Sequence, residues 1–214
     1  MPVLTDRMVI DHLTVGPFQT NVYVIGCRAS GAGAVVDAGG DGPGLIAMAA
    51  RHEVSVGQIL QTHAHVDHVA ALTHVKRATS APILLHPDDA MLYDNAVQQG
   101  RFFGFQIEAL PPVDQWLAHD QEVRVGELVA RVMLLPGHSP GSVAFYFEDE
   151  GVLLSGDVLF AGSIGRTDLP GGDGAAMMRS LDALKQLPPQ TRVFSGHGPA
   201  TTIGQELRFN PFMR

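Results

Sequence analysis

Thr62-His63-Ala64-His65-Val66-Asp67-His68 follows directly on an apolar, strand-like run, Val56–Gln61, and places three imidazoles and a carboxylate within positions 63–68. A structural histidine is usually solitary and hydrogen-bonded, so this density asks for another explanation. Two side chains separated by one residue on an extended segment project to the same side, and a turn that follows can aim the next pair at a second point. That geometry suits two adjacent metal ions. Imidazole and carboxylate suit zinc, iron or manganese, and the motif contains no cysteine that would select a thiolate site.

Outward from this motif the chain alternates strand and helix signals. Met8–Val15, Asn21–Cys27 and Gly33–Asp37 read as strands joined by short turns. Pro43–His52 carries Leu45, Ile46, Met48 and Ala49 at helical spacing, ahead of the strand that delivers the histidine motif. Downstream, Val69–Ala78 reads as a helix, Pro82–Leu85 as a short strand, and Pro87–Val97 as a helix with proline at its first position. From Gln98 to Trp116 the periodicity fails while Phe102, Phe103, Phe105 and Trp116 accumulate. This stretch is expected to be a long surface excursion, with its aromatics serving as core or lid packing beside the substrate. Strands follow at Glu122–Val125, Leu128–Leu135, Ser142–Phe147 and Val152–Ser155, with a hairpin turn at Glu148–Gly151. A helix at Ala175–Lys185, a strand at Arg192–Ser195 and a short helix at Ile203–Arg208 complete the chain. No linker-like shift in composition divides residues 1–214, which are expected to form one domain.

Three further residues share one local context, an apolar strand running into a glycine-containing turn: His138 after Leu134-Leu135-Pro136-Gly137, Asp157 after Leu153-Leu154-Ser155-Gly156, and His197 after Val193-Phe194-Ser195-Gly196. Singly, each could be a turn residue. Together they point to strand ends meeting at one rim, where glycine lets the backbone approach a crowded centre.

In these residues the sequence resembles the metallo-β-lactamase superfamily, whose HxHxDH signature stands here as His63, His65, Asp67 and His68, followed by His138, Asp157 and His197. The resemblance implies an α/β fold, a four-layer αββα sandwich of two mixed sheets flanked by helices, with the metals at the shared edge of the sheets. It further implies that His63, His65 and His138 hold one divalent ion, that Asp67, His68 and His197 hold the other, and that Asp157 and a hydroxide bridge them. Zinc is the first expectation, with iron or manganese as alternatives. Class B β-lactamases generally carry cysteine at the position of Asp157, which makes antibiotic hydrolysis a poor fit. The runs Gly162–Gly172 and Gly196–Gly204 are similar to the short glyoxalase II type, hydroxyacylglutathione hydrolases without the extra C-terminal domain, since only 17 residues (214 − 197) follow His197.

The resemblance thus implies hydrolysis of S-acylglutathione thioesters such as S-D-lactoylglutathione, with hydroxide generated between two cations and the oxyanion and leaving thiolate stabilised by their charge. Asp67 is the candidate for handling the proton released during attack. Arg166, and Arg101 from the aromatic stretch, are the candidate contacts for glutathione carboxylates, and Asp37, at the end of its strand, is a candidate for orienting a ligating histidine. A persulfide dioxygenase is the competing reading, with one iron held by His63, His138 and Asp157. Leu169-Pro170-Gly171-Gly172, where an aromatic would be expected in the dioxygenases, favours the hydrolase. Lactone hydrolysis is a third option on the same chemistry.

Composition narrows the field further. Fourteen Lys+Arg against 22 Asp+Glu give a net charge of −8, so no general positive field exists to attract nucleic acid. With 45% apolar residues the chain is far from disordered composition, and no apolar run is long enough to span a bilayer. Cys27 is the sole cysteine and reads as a buried small hydrophobe; with no secretory pattern at the start, a cytoplasmic monomer or small homo-oligomer is expected. Gly42-Pro43-Gly44-Leu45-Ile46-Ala47 matches a dinucleotide-binding pattern, but the acid expected downstream is displaced by the histidine motif. His12, His52, His74, His86 and His119 lack ligand-like company and are expected to have surface or core roles.

Overall fold

A computed structural model describes residues 3–104 and 106–214. The first sheet takes its strands in chain order: β1 (Val3–Leu4), β2 (Met8–Val15), β3 (Thr20–Cys27), β4 (Ala32–Val36), β5 (Ser55–Leu60), β6 (Ile83–Leu85) and β7 (Gln115–Trp116). Pairing is antiparallel from β1 to β4 and parallel from β4 to β7, and all three parallel crossovers contain helices, beginning with α1 (Gly42–Arg51) before β5 and α2 (Val66–Val69) and α3 (Leu72–Thr79) before β6. A single 3₁₀ turn (Pro87–Asp89), α4 (Ala90–Asp94) and α5 (Ala96–Phe102) follow.

The second sheet is built from β8 (Glu122–Val125), β9 (Leu128–Leu134), β10 (Val143–Phe147) and β11 (Val152–Gly156). A small hairpin, β12 (Leu159–Phe160) and β13 (Ser163–Ile164), and α6 (Gly174–Leu184) lead to β14 (Arg192–Ser195), β15 (Thr201–Thr202) and α7 (Ile203–Phe209). The order across this sheet is β15-β14-β11-β10-β9-β8, with β11 and β14 parallel and the other pairs antiparallel.

Alternation along the strands produces the layers. Tyr23 and Ile25 of β3 face Phe145 and Phe147 of β10 in the core between the sheets, while Val22 and Val24 turn outward onto Leu45 and Met48 of α1 and Leu72 of α3. Ala144 and Tyr146 turn the other way, onto Met177 and Leu181 of α6. Both faces of the central strands are therefore covered, which explains why every residue of β3 and β10 is buried. The result is the expected αββα sandwich.

At one rim the sheets are tied directly. The Val143 N–H donates to the Thr62 carbonyl, the Tyr23 hydroxyl to the Ser195 carbonyl at 2.6 Å, and the Asn21 side-chain amide to the carbonyls of Ser195 and Gly198. The ends of β4, β5, β9, β11 and β14 all open onto this rim.

Three expectations need correction. The helix expected at Val69–Ala78 begins three residues earlier and breaks after Val69, because the Ala71 N–H bonds the Ala38 carbonyl instead of continuing the helical ladder. Pro87–Val97 is not one helix but a 3₁₀ turn and parts of two short helices that meet at Asn95. The excursion starts later than expected, since α5 runs on to Phe102. Its aromatics are not core: Phe102 is 83% exposed, Phe103 40% and Trp116 51%, and Trp116 lies on the edge strand β7, lining a different cavity from the phenylalanines. Phe105 lies outside the described residues. The dinucleotide-like glycines open α1, whose N-terminus is already capped by the Asp41 carboxylate accepting from the Gly44 N–H.

Phe145 is fully buried between the two sheets. Phe145→Ala is expected to lower stability by about 3–5 kcal/mol, read as a lower urea midpoint with an unchanged slope.

Candidate metal centre

Each histidine and acid of the motif leaves β5 on a segment that turns immediately into α2, and the second sheet delivers its contributions from the loops after β9, β11 and β14. One ligand atom from each of His63, His65 and His138 lies within a common 4.8 Å, and a second group of the same size is formed by Asp67, His68 and His197. Asp157 reaches both: its Oδ2 is 3.4 Å from His138 Nε2 and 3.2 Å from His197 Nε2, and its Oδ1 is 3.5 Å from His68 Nε2. All seven residues singled out in the sequence therefore converge. None of the other five histidines belongs to such a group among the described residues: His52 pairs with Asp11 at 2.7 Å, and His119 accepts the Leu134 N–H.

The hydrogen bonds orient the rings. His138 Nδ1 is 2.7 Å from the Arg166 carbonyl and His68 Nδ1 is 3.0 Å from Asp37 Oδ2. A carbonyl and a carboxylate accept, so both Nδ1 atoms carry the proton and both Nε2 lone pairs face the centre. His63 Nδ1 lies 3.1 Å from the Thr62 hydroxyl, which itself donates to Asp37 Oδ2 at 2.7 Å. Asp37 thus orients His68 directly and His63 through Thr62, one imidazole in each group. It also falls within 4.8 Å of His63 and His68, but its two oxygens already accept from the Thr62 N–H, the Thr62 hydroxyl and His68, which fits an orienting role.

The donor set fits cations. His63 Nε2, His68 Nε2 and Asp157 Oδ1 are buried without a hydrogen-bond partner, and these atoms point to the place where two metals would satisfy them. Burial, reinforced by the neighbouring His68, holds His63 well below the usual imidazole range, and burial with His138 alongside brings His65 down to about 3. Both are held neutral, the form that ligates. In the second group burial works against charge, yet Asp67, Asp157 and Asp37 raise His68 well above its ordinary value, and Asp157 and Asp67 raise His197 to about 10. Burial likewise opposes ionisation of Asp67 and Asp157, but His68 overrides it and brings Asp67 to about 2 and Asp157 well below the carboxylate range. The carboxylates there draw in positive charge, and a divalent ion can replace those protons.

A family model described as the metallo-β-lactamase superfamily matches residues 15–197. The chain belongs to this superfamily. It is 37% identical over 205 residues to the probable metallo-hydrolase YqgX of Bacillus subtilis, covering 94% of this chain and 96% of that one. With the hydroxyacylglutathione hydrolase GloC of Haemophilus influenzae it shares 35% identity over 210 residues, or 96% of this chain and 98% of that one. Two solved structures are also similar. The di-iron-bound form of TTHA1623 superposes with a TM-score of 0.87 at 42% identity, covering 94% of this chain and 99% of that chain. BLEG-1 B3 metallo-β-lactamase does so with a TM-score of 0.89 at 41% identity, covering 95% and 99%.

The candidate substrate contacts fare differently. Arg166 lines the cavity of about 380 Å³ over the centre, but its guanidinium is forked onto Asp168 at 2.6 and 2.8 Å. Arg101 lines neither this cavity nor the adjoining groove, to which α5 contributes Gln98, Gln99 and Phe102.

Three contributors escape sequence reading. Thr20 donates its hydroxyl to Asp67 Oδ2 at 2.8 Å, and Gln99 brackets the motif by bonding the Ala64 carbonyl and the Val66 N–H. Asp89, fully buried, accepts from the Ala64 N–H (2.8 Å), the Ser139 hydroxyl (2.9 Å) and the Gly141 N–H (2.6 Å), and so joins the loop of His63 and His65 to the loop of His138. In the sequence Asp89 reads as an ordinary acid in the first turn of a helix, with no local mark of a bridging role.

Asp89→Ala would strand two buried N–H donors and is expected to cost about 3 kcal/mol. Folded Asp89→Ala protein is expected to bind less divalent metal per chain than the parent, measured by metal analysis after equilibrium dialysis, with Asp89→Asn intermediate.

Proposed function

We propose that this protein is a metal-dependent thioester hydrolase of the glyoxalase II type, acting on S-acylglutathione thioesters such as S-D-lactoylglutathione. The observation that carries the reading is the complete second group. Asp67, His68 and His197 furnish a second cation position beside the first, and Asp157 lies within reach of both. A mononuclear oxygenase needs only His63, His138 and Asp157, and leaves His65, Asp67, His68 and His197 without a shared purpose. The likeness to GloC supports the same substrate class.

Two divalent cations bound here would supply Lewis acidity for a carbonyl and lower the pKa of a water toward neutrality. The chain's own groups do the rest. Arg166 and Asp157 flank His138 from opposite sides of its ring, fixing it at the cavity wall. Asp67, ionised and steadied by Thr20, lines the cavity and is the candidate proton acceptor; its low pKa limits it to passing a proton on. His63 and His65, held neutral, would help hold those cations, whose charge would stabilise an oxyanion and a leaving thiolate. Phe18, Phe103 and Phe160 wall the cavity.

The deciding experiment combines metal analysis with three assays: cleavage of S-D-lactoylglutathione, oxygen uptake with glutathione persulfide, and hydrolysis of a chromogenic cephalosporin, included because of the 41% identity to BLEG-1. Two metals per chain with oxygen-independent thioester cleavage is the expected result; one iron per chain with persulfide-dependent oxygen uptake, or β-lactam turnover exceeding thioester turnover, would reverse it. His65→Ala and His68→Ala are each expected to cut hydrolysis at least about a hundredfold, and an iron oxygenase would survive both. Asp67→Asn that keeps both metals and full turnover would remove Asp67 from the proton path.

A further inference from the structure

The exposed aromatics of α5 have a use that the centre alone does not explain. Met91 and Leu92 of α4 and Phe102 and Phe103 at the end of α5 stand across from Leu169 and Pro170, enclosing a groove of about 480 Å³. The groove runs into the cavity over the centre: His65, Gln99, Phe103 and Leu169 line both. Among the described residues no Asp, Glu, Lys or Arg lines it. Its polar residues are largely committed elsewhere. The Gln99 amide donates to the carbonyls of Ala64 and Leu92 and accepts from the Val66 N–H, and the Asn95 amide donates to the Met91 carbonyl at 2.7 Å. An apolar channel thus leaves the centre on the His65 side, with Met91 57% and Phe102 83% exposed along it.

We infer that this groove holds the acyl group of the substrate, and that the enzyme prefers linear acyl groups of about six carbons, or arylacetyl groups, over lactoyl. The inference rests on the thioester reading above and names the acyl class for it. Its occupant follows from continuity: a carbonyl placed over His65 and His138 has its acyl substituent at the mouth of the groove, and an uncharged channel offers nothing to the carboxylates of a glutathione carrier. A lactoyl group, three carbons with a hydroxyl, would leave the channel empty. The reaction is unchanged in balance: water adds to the carbonyl carbon, the C–S bond breaks, and the thiol leaves with one of the water's protons. Full burial of a methylene is worth about fourfold in binding, and a half-open groove about twofold, so three added methylenes raise kcat/KM about tenfold.

The test measures kcat/KM for S-lactoyl-, S-butanoyl-, S-hexanoyl- and S-phenylacetylglutathione on the metal-loaded protein. Hexanoyl and phenylacetyl thioesters are expected to exceed lactoyl about tenfold. The double variant Met91→Gln with Phe102→Ser, both at exposed positions, is expected to lower the hexanoyl-to-lactoyl ratio at least about fivefold, and Leu169→Ser on the facing wall is expected to lower it independently. Lactoyl cleavage with a flat or falling dependence on chain length would overturn the groove assignment and leave the thioester reading standing, as would a rise that neither variant alters. No cleavage of any member would overturn both.

Discussion

The rim of this molecule is organised around one buried carboxylate. Asp37 directly follows β4 with φ +57, a left-handed backbone that a non-glycine residue adopts at a cost, and it is buried at the junction of the two sheets. What holds it there is complete satisfaction: the N–H and hydroxyl of Thr62 and the Nδ1–H of His68 all donate to it. A buried anion so placed forces its surroundings to supply positive charge. It also sets the ring planes of one histidine in each group, His68 directly and His63 through Thr62. Glycine permits the matching approach from the second sheet. A Cβ on Gly196 would stand 2.1 Å from Asp157 Oδ1 and 2.7 Å from the His68 ring, so the turn that presents His197 closes only without one.

Much of this was legible because it is local. The strand periods, the turn after each strand and the spacing of the histidine motif are properties of a few adjacent residues, and β2, β8 and β14 begin and end where their patterns do. Strand-end histidines and acids could be gathered into one set because parallel neighbours such as β4 and β5, or β11 and β14, must release their ends on the same side. What stayed hidden depends on contacts distant in the chain. The break between α2 and α3 follows from a bond to Ala38, and the role of Asp89 follows from Ser139 and Gly141, fifty residues away along the chain. Arg101 lies outside the cavity lining because helix continues through a stretch whose composition reads as loop, and that helix presents Gln98, Gln99 and Phe102 to the site instead.

The charge balance bears on specificity. A chain of net charge −8 repels an anionic substrate at long range, although screening confines that effect to roughly 8 Å at physiological salt. Within that distance the balance changes: two divalent cations would more than offset Asp37, Asp67 and Asp157, while the guanidinium of Arg166 is already matched by Asp168. With those cations bound, positive charge would be concentrated at the centre and scarce in the groove beside it. The charged part of an anionic thioester would then give little discrimination. If the acyl group lies in the uncharged groove between α4–α5 and Leu169, that groove would be the remaining source, offering apolar area without charge and so selecting by the size and polarity of the group placed in it.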